Sequence, residues 1–439
     1  MPSRDPNYLT DWSPMPASLL PGARVLRSAW RSPALRAAVV LALSGVAFAL
    51  ANLLLARELP KEEYGRFALL LAIITIGILT GPVGAQVIVN RQRIDPGRRL
   101  LGRTLLTSGL VGLGLAIGAG VLYPLDFPLL LITAVATIAG ATKLVAVGHY
   151  QSRQRYGLSL FLSECTNGSV LIAAIVVAVV RPGTAFVPAA VFAASLWAFT
   201  TFGWWKVFRD RPRLDYPDPP FPWGEAFSVV GVVGASMLLG AMERLVIPRA
   251  LGLPELATFS VLATLAGSPF QMLNQGVGFA LLPSLRAAGN PVERRRVLGQ
   301  ETLVVLAACL LSAAAVWWLA PIVLRLFLAG RYELPAQLIL AAIVVGTLKP
   351  LGSLAVATVN AVGSSRSLAG LGAIAWVAAA LGLGGAWLGV RWGLTGLVYG
   401  AGIGWLFRAA ASTWLAARSL QAPAANRADD MLANRLAEE

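Results

Sequence analysis

Seven ionisable side chains stand inside runs of this chain that are otherwise apolar: Lys143, Glu164, Glu243, Arg244, Arg325, Lys349 and Arg408. Holding such a group ionised away from water is costly, so each needs a partner, a route to the surface or a functional reason to be there. Lys349 is the most central, near the middle of its run and too deep for its stem to reach headgroups easily. Arg244 and Glu243 are adjacent, about one turn from the end of theirs. Neighbouring positions on a helix do not face each other, so one of the pair faces a cavity and the other the protein interior, unless Arg244 snorkels to the interface. Buried cations suit an anionic substrate, and Lys349, Arg244 and Arg36 are the candidate contacts. Glu243 and Glu164 are the candidate ion-coupling carboxylates; Glu164 also lies at the depth of Lys143, with which it can pair. Arg36, Arg325 and Arg408 sit near run ends, the common place for an interfacial anchor. Among the uncharged polar residues inside or at the ends of the runs, Asn274 and Gln86 join the substrate-binding set, while Asn52, Asn90, Gln271, Gln275 and Asn360 can bond between helices.

The elements that carry these groups are set by hydropathy. The chain has 57% hydrophobic and 13% charged residues and a mean hydropathy of +0.70, too little charge to cover a soluble protein of this length. A hydrocarbon layer about 30 Å thick needs roughly 20 apolar residues per helical crossing. Runs of that length fall at 37–56, 67–90, 104–123, 129–148, 158–180, 185–205, 225–248, 257–282, 302–327, 334–362, 368–388 and 394–417. They lack the alternation of a membrane barrel, so an all-α integral membrane protein with 12 transmembrane helices is expected.

Orientation follows from the basic residues between the runs. The termini and the even gaps hold 24 Arg and Lys, for example Arg91, Arg93, Arg98, Arg99 and Arg103 after the second run; the odd gaps hold 7. Both termini are therefore expected in the cytoplasm. The same distribution accounts for the net charge of +15 through topology and attraction to anionic headgroups, without nucleic acid. The first 33 residues are polar and Pro-rich, with no signal peptide expected. Cys165 and Cys309 fall in separate helices and His149 is the single histidine, so no disulfide framework, metal site or cofactor is implied.

Shifting the chain by 192 residues lays the first hairpin over the seventh and eighth runs. Arg57 meets Arg249, Glu63 meets Glu255, Phe67 meets Phe259 and Gly84 meets Gly276. Each half has six helices and starts on the same side, so the repeat is parallel, about an axis along the membrane normal, with two lobes facing a central cavity. The expected organisation is a cytoplasmic tail 1–33, an N-lobe 34–206, a Pro-rich cytoplasmic linker 207–223, a C-lobe 224–418 and a cytoplasmic tail 419–439. Gly396, Gly400 and Gly404, and Gly114 with Gly118, have the spacing for close helix contact.

On these residues a family resemblance rests. LLLARELPKEEYGRF at 53–67 resembles the "ar.Lg.eeyG.f" signature of the polysaccharide transporter family, the Wzx-type flippases of the multidrug/oligosaccharidyl-lipid/polysaccharide exporter superfamily. MERLVIPRALGLPELATFSV at 242–261 is similar to its second-half counterpart, with Glu243 in place of the usual Asp. The segments at 320–342 and AVGSSR resemble its ninth-to-tenth helix region and following turn. The resemblance implies a transporter that flips undecaprenyl-pyrophosphate-linked oligosaccharide across a bacterial inner membrane for polysaccharide, lipopolysaccharide or O-antigen synthesis, with membrane lipids and a polysaccharide polymerase as partners. An ion-coupled multidrug exporter of the same superfamily is the alternative, although its cavity would favour acidic residues for cationic drugs. A lipid II flippase typically has two further helices. An enzyme is not expected: no GxxxxGK[ST] loop is present, and Glu164 and Glu243 lie on opposite sides of the membrane.

Overall fold

The computed structural model describes residues 33–210, 221–288 and 290–421, and within them all regular structure is helical. Residues 1–32 and 422–439 of the expected tails, and 211–220 of the Pro-rich linker, lie outside the described residues. The first half comprises α1 (Pro33–Glu58), α2 (Lys61–Thr80), α3 (Ala85–Gln92), α4 (Arg98–Leu122), α5 (Phe127–Ser152), α6 (Tyr156–Val180) and α7 (Phe186–Asp210). The second comprises α8 (Trp223–Ala250), α9 (Leu253–Leu262), a π turn (Ala263–Gly267), α10 (Ser268–Ala287), α11 (Pro291–Leu326), α12 (Ala336–Val362), α13 (Ser365–Gly389) and α14 (Gly393–Gln421). Eleven stretches are long and apolar enough to cross a membrane. The last of these spans 56 residues and is two helices, α13 and α14, divided by a short 3-10 turn and by Gly393 at φ 67°. Twelve crossings result, as expected.

Two crossings are interrupted. The second consists of α2 and α3, broken at Gly81–Gly84, where Gly84 has φ 74° and faces the Ala226 carbonyl so closely that a Cβ would collide with it. The eighth consists of α9 and α10, joined through the π turn just before Pro269. Proline has no N–H to give the preceding turn, and inserting one extra residue per turn accommodates it. The ninth helix starts eleven residues before its apolar run, at Pro291, because Asn290 caps it by accepting from the Glu293 N–H at 2.7 Å and proline is favoured in the first turn.

Side chains are distributed as lipid requires. On α4, Leu106, Leu110, Leu113, Ile117 and Val121 are exposed, whereas Thr104, Ser108, Gly112, Ala116 and Ala119 are buried. Apolar residues face outward and small or hydroxyl residues face inward, since tight packing holds membrane helices together. On α14, Gly396, Gly400 and Gly404 lie against Gly389, Gly385 and the Ala378 carbonyl of α13. Gly114 and Gly118 instead face open space, so they are not contact residues.

The packing repeats pair for pair. Within the first half α1 packs on α6, α2 on α5, α4 on α5, α5 on α7 and α6 on α7; in the second α8 packs on α13, α10 on α12, α11 on α12, α12 on α14 and α13 on α14. The halves meet through α1–α3 and α8–α10. At the end carrying the odd-numbered connections, two tyrosines close the seam reciprocally. Tyr123, just after the third crossing, donates to the Leu245 carbonyl of α8 at 2.8 Å. Tyr332, just after the ninth, donates to the Ala56 carbonyl of α1 at 3.1 Å, and Arg331 Nη1 donates to the Arg57 carbonyl at 2.8 Å. Lys61 lies over the Tyr332 ring and Arg57 over Phe327.

Candidate functional site

The motif at 53–67 builds the frame of this closed end. Glu63 accepts from the Ala185 N–H at 2.7 Å, and Arg66 bonds Glu62 and Glu63. Gly65 lets α2 rest on the Leu253 carbonyl, which a Cβ would overlap. Tyr64 is fully buried and donates to Asn52 Oδ1 at 3.5 Å.

From Tyr64 a chain of polar groups runs inward through the second half. Arg244 on α8 lies within electrostatic reach of Tyr64. Glu243, beside it and only 4% exposed, interacts with Lys349 and with Arg244, the stronger of the two being Lys349. The carboxylate finds its stronger counter-ion on α12, and the guanidinium interacts first with Glu243 and then with Tyr64 of α2.

Lys349 reaches its place because α12 and α14 run side by side in the same direction and touch at small residues. A Cβ on Gly352 would meet Ala409 at 3.6 Å, and one on Gly402 would meet Val345 at 2.7 Å. Lys349 lies one turn before Gly352 and Trp405 one turn before Ala409, so the ammonium comes to 5.0 Å from the Trp405 ring centroid. Arg408, three residues beyond Trp405 on the same face, brings its Cζ to 5.6 Å from that centroid. The Trp405 Nε1–H is buried and has no acceptor among the described residues. Asn274 joins one turn further along, accepting a short hydrogen bond from Ser353 Oγ. Three cations thus gather around one carboxylate and one indole.

The other candidates lie elsewhere. In the first half, Ser44 Oγ donates to Glu164 Oε2 at 2.5 Å, and Asn167 Nδ2 donates to both at 3.0 Å. Lys143 is within electrostatic reach of Glu164 but donates instead to Thr166 Oγ1 at 2.6 Å. The expected Lys143–Glu164 pair is therefore two separate hydrogen-bonded groups, because hydroxyl and amide partners are nearer to each. Gln86 opens α3 with its Oε1 buried and unpartnered among the described residues, and Arg36 falls in the first turn of α1. Arg325 is exposed near the end of α11, as an anchor would be. Arg408 corrects the reading that put it near a helix end: α14 extends to Gln421, leaving Arg408 well inside it. Trp405 was missed because a tryptophan in a membrane chain reads as an interfacial residue; its spacing of three from Arg408 was the available signal.

No family model matches this sequence, and no curated protein matches it. Solved structures do share its fold. A multidrug resistance MATE family transporter of the MOP superfamily, in an inward-facing conformation, superposes with a TM-score of 0.65 at 15% identity, covering 88% of this chain and 98% of that one. The lipid II flippase MurJ in an inward closed conformation gives 0.67 at 11% identity, covering 86% of each. A mutant form of the Vibrio cholerae MATE transporter VcmN gives 0.59 at 16% identity, covering 92% of this chain and 97% of that one. This multi-pass membrane protein therefore shares its fold with MATE transporters and with a lipid II flippase.

Proposed function

We propose that this chain flips an undecaprenyl-pyrophosphate-linked oligosaccharide from the cytoplasmic to the outer leaflet of a bacterial inner membrane, for polysaccharide or lipopolysaccharide synthesis. The excess of cations carries this reading: half-buried Arg244 and Lys349 share one carboxylate, Glu243, and half-buried Arg408 meets Lys349 at the Trp405 ring. Cations held partly out of water without matching anions are costly, and a pyrophosphate headgroup supplies the missing negative charge. The motif at 53–67 and the likeness to a lipid II flippase support it. The lobes, 34–206 and 224–418, rock about this region with both termini cytoplasmic, and a polysaccharide polymerase uses the product.

A second reading, an ion-coupled multidrug exporter, is supported by the likeness to MATE transporters and by one site in the first half. Glu164, bound to Ser44 and Asn167 in the first half, is a carboxylate placed to take a proton or sodium ion.

The deciding experiment reconstitutes the protein with a short undecaprenyl-pyrophosphate oligosaccharide and scores exposure of the sugar to an enzyme on one side. Transfer is expected in wild type and lost in Lys349→Gln and Arg244→Gln variants whose helix content is unchanged. Normal transport by both variants, or vesicles that move cationic dyes but not the lipid, would overturn the proposal.

A further inference from the structure

Two like charges on one ring need an explanation that packing does not supply. Lys349 and Arg408 come from different helices, yet both stand within 6 Å of the Trp405 centroid, at 5.0 and 5.6 Å. Each is attracted by the ring's quadrupole. Glu243 acts on Lys349, and no carboxylate among the described residues is seen to pair with Arg408. The same indole holds a buried N–H with no acceptor among the described residues, and an unpaired buried donor is uncommon enough to require a reason.

We infer that Trp405, Lys349 and Arg408 form a diphosphate-binding subsite, in which the indole N–H and both cations converge on phosphoryl oxygens. This deepens the proposed function and rests on it. A diphosphate answers all three needs together: more than one negative charge for the two cations, acceptor oxygens for the indole, and a flat oxygen pair for the Arg408 fork. A monoanion would leave one cation unmatched. The ring holds the cations in place when the site is vacant, and the N–H makes the site selective for an acceptor rather than a second aromatic group. Asn274 and Ser353, bonded to each other one turn beyond Lys349, border the subsite on α12.

The test uses the full chain in nanodiscs and isothermal titration calorimetry with inorganic pyrophosphate, orthophosphate and farnesyl diphosphate. Tighter binding of a diphosphate than of orthophosphate is expected. Trp405→Phe keeps an aromatic face but loses the donor and the larger indole, so it should weaken binding by about tenfold or more; Arg408→Gln should also weaken it, and Arg408→Lys, which keeps charge without the fork, less than Gln. Farnesyl diphosphate bound without free pyrophosphate, with the same losses, upholds the subsite and assigns it to a lipid headgroup. Wild-type protein that binds neither diphosphate overturns it. So does unchanged binding by Trp405→Phe and Arg408→Gln; if Lys349→Gln and Arg244→Gln still abolish flipping, the transporter reading stands while the subsite falls.

Discussion

Lys143, with 0% exposure, is held by a hydroxyl rather than by a carboxylate. Lys143 donates to Thr166 at 2.6 Å and feels Glu164 nearby. Removing the whole charged group differs from removing its partner. Lys143→Met replaces a buried cation with an apolar chain of similar length and should be neutral or stabilising. Thr166→Val leaves the ammonium short of an acceptor and should cost about 1–3 kcal/mol. Unfolding midpoints in detergent measure both, and a Met variant less stable than the Val variant would contradict this account. At this scale much was readable: Lys349, Arg244 and Glu243 each stood out as a charge in an apolar run, and the structure brings them together. Their partners were not readable. Which hydroxyl, amide or ring meets a given charge depends on helix rotation and register between segments far apart in sequence, as with Trp405 and Lys349.

At the scale of elements, the twelve crossings follow from run length alone, whereas their irregularities do not. The break at Gly81–Gly84 and the π turn at Ala263–Gly267 lie within runs of unbroken hydropathy, which reports composition and is blind to backbone geometry. The tyrosine pair is a further case, since it depends on where loops land. Ala329 and Gly330, at φ 48° and 71°, turn the chain sharply before Arg331 and Tyr332. Burial pushes the Tyr332 phenol up to about 12 against the influence of Arg331, and raises that of Tyr123 against Arg249. Raised values keep both groups protonated donors throughout the neutral range; their contribution is lost only as pH climbs through the raised value. Two such hydrogen bonds together are worth about 2 kcal/mol, a factor of roughly 30 in the population of an opened seam. Tyr123→Phe with Tyr332→Phe should therefore speed labelling of a cysteine at Ala257, buried in the seam at 0% exposure, by a membrane-impermeant maleimide. The background would lack Cys165 and Cys309. An unchanged labelling rate would show that apolar packing alone holds this end shut.

For the whole molecule, the repeat has a consequence that single helices do not. Six crossings per half return the chain to its starting side, so both halves share one orientation and their equivalent helix pairs recur, α1 with α6 matched by α8 with α13. The shift of 192 residues exposed this kinship through matched Arg, Glu and Phe, of which Phe67 and Phe259 are both buried. It did not expose where the halves differ: on α5, the counterpart of α12, Lys143 donates to Thr166 rather than meeting a carboxylate, and Asn52 stands at the position matching Arg244. Orientation remains the premise on which direction of transport depends, and it follows from 24 basic residues at one end against 7 at the other, since basic residues near helix ends resist translocation. Glu333, just before α12, and Arg366, in the first turn of α13, are both exposed and flank α12 at opposite ends. A cysteine at Glu333 should react with an impermeant maleimide in intact cells, and one at Arg366 only after the membrane is permeabilised. The reverse pattern would place the tyrosine seam on the cytoplasmic side, and the direction of flipping proposed above would have to be inverted with it.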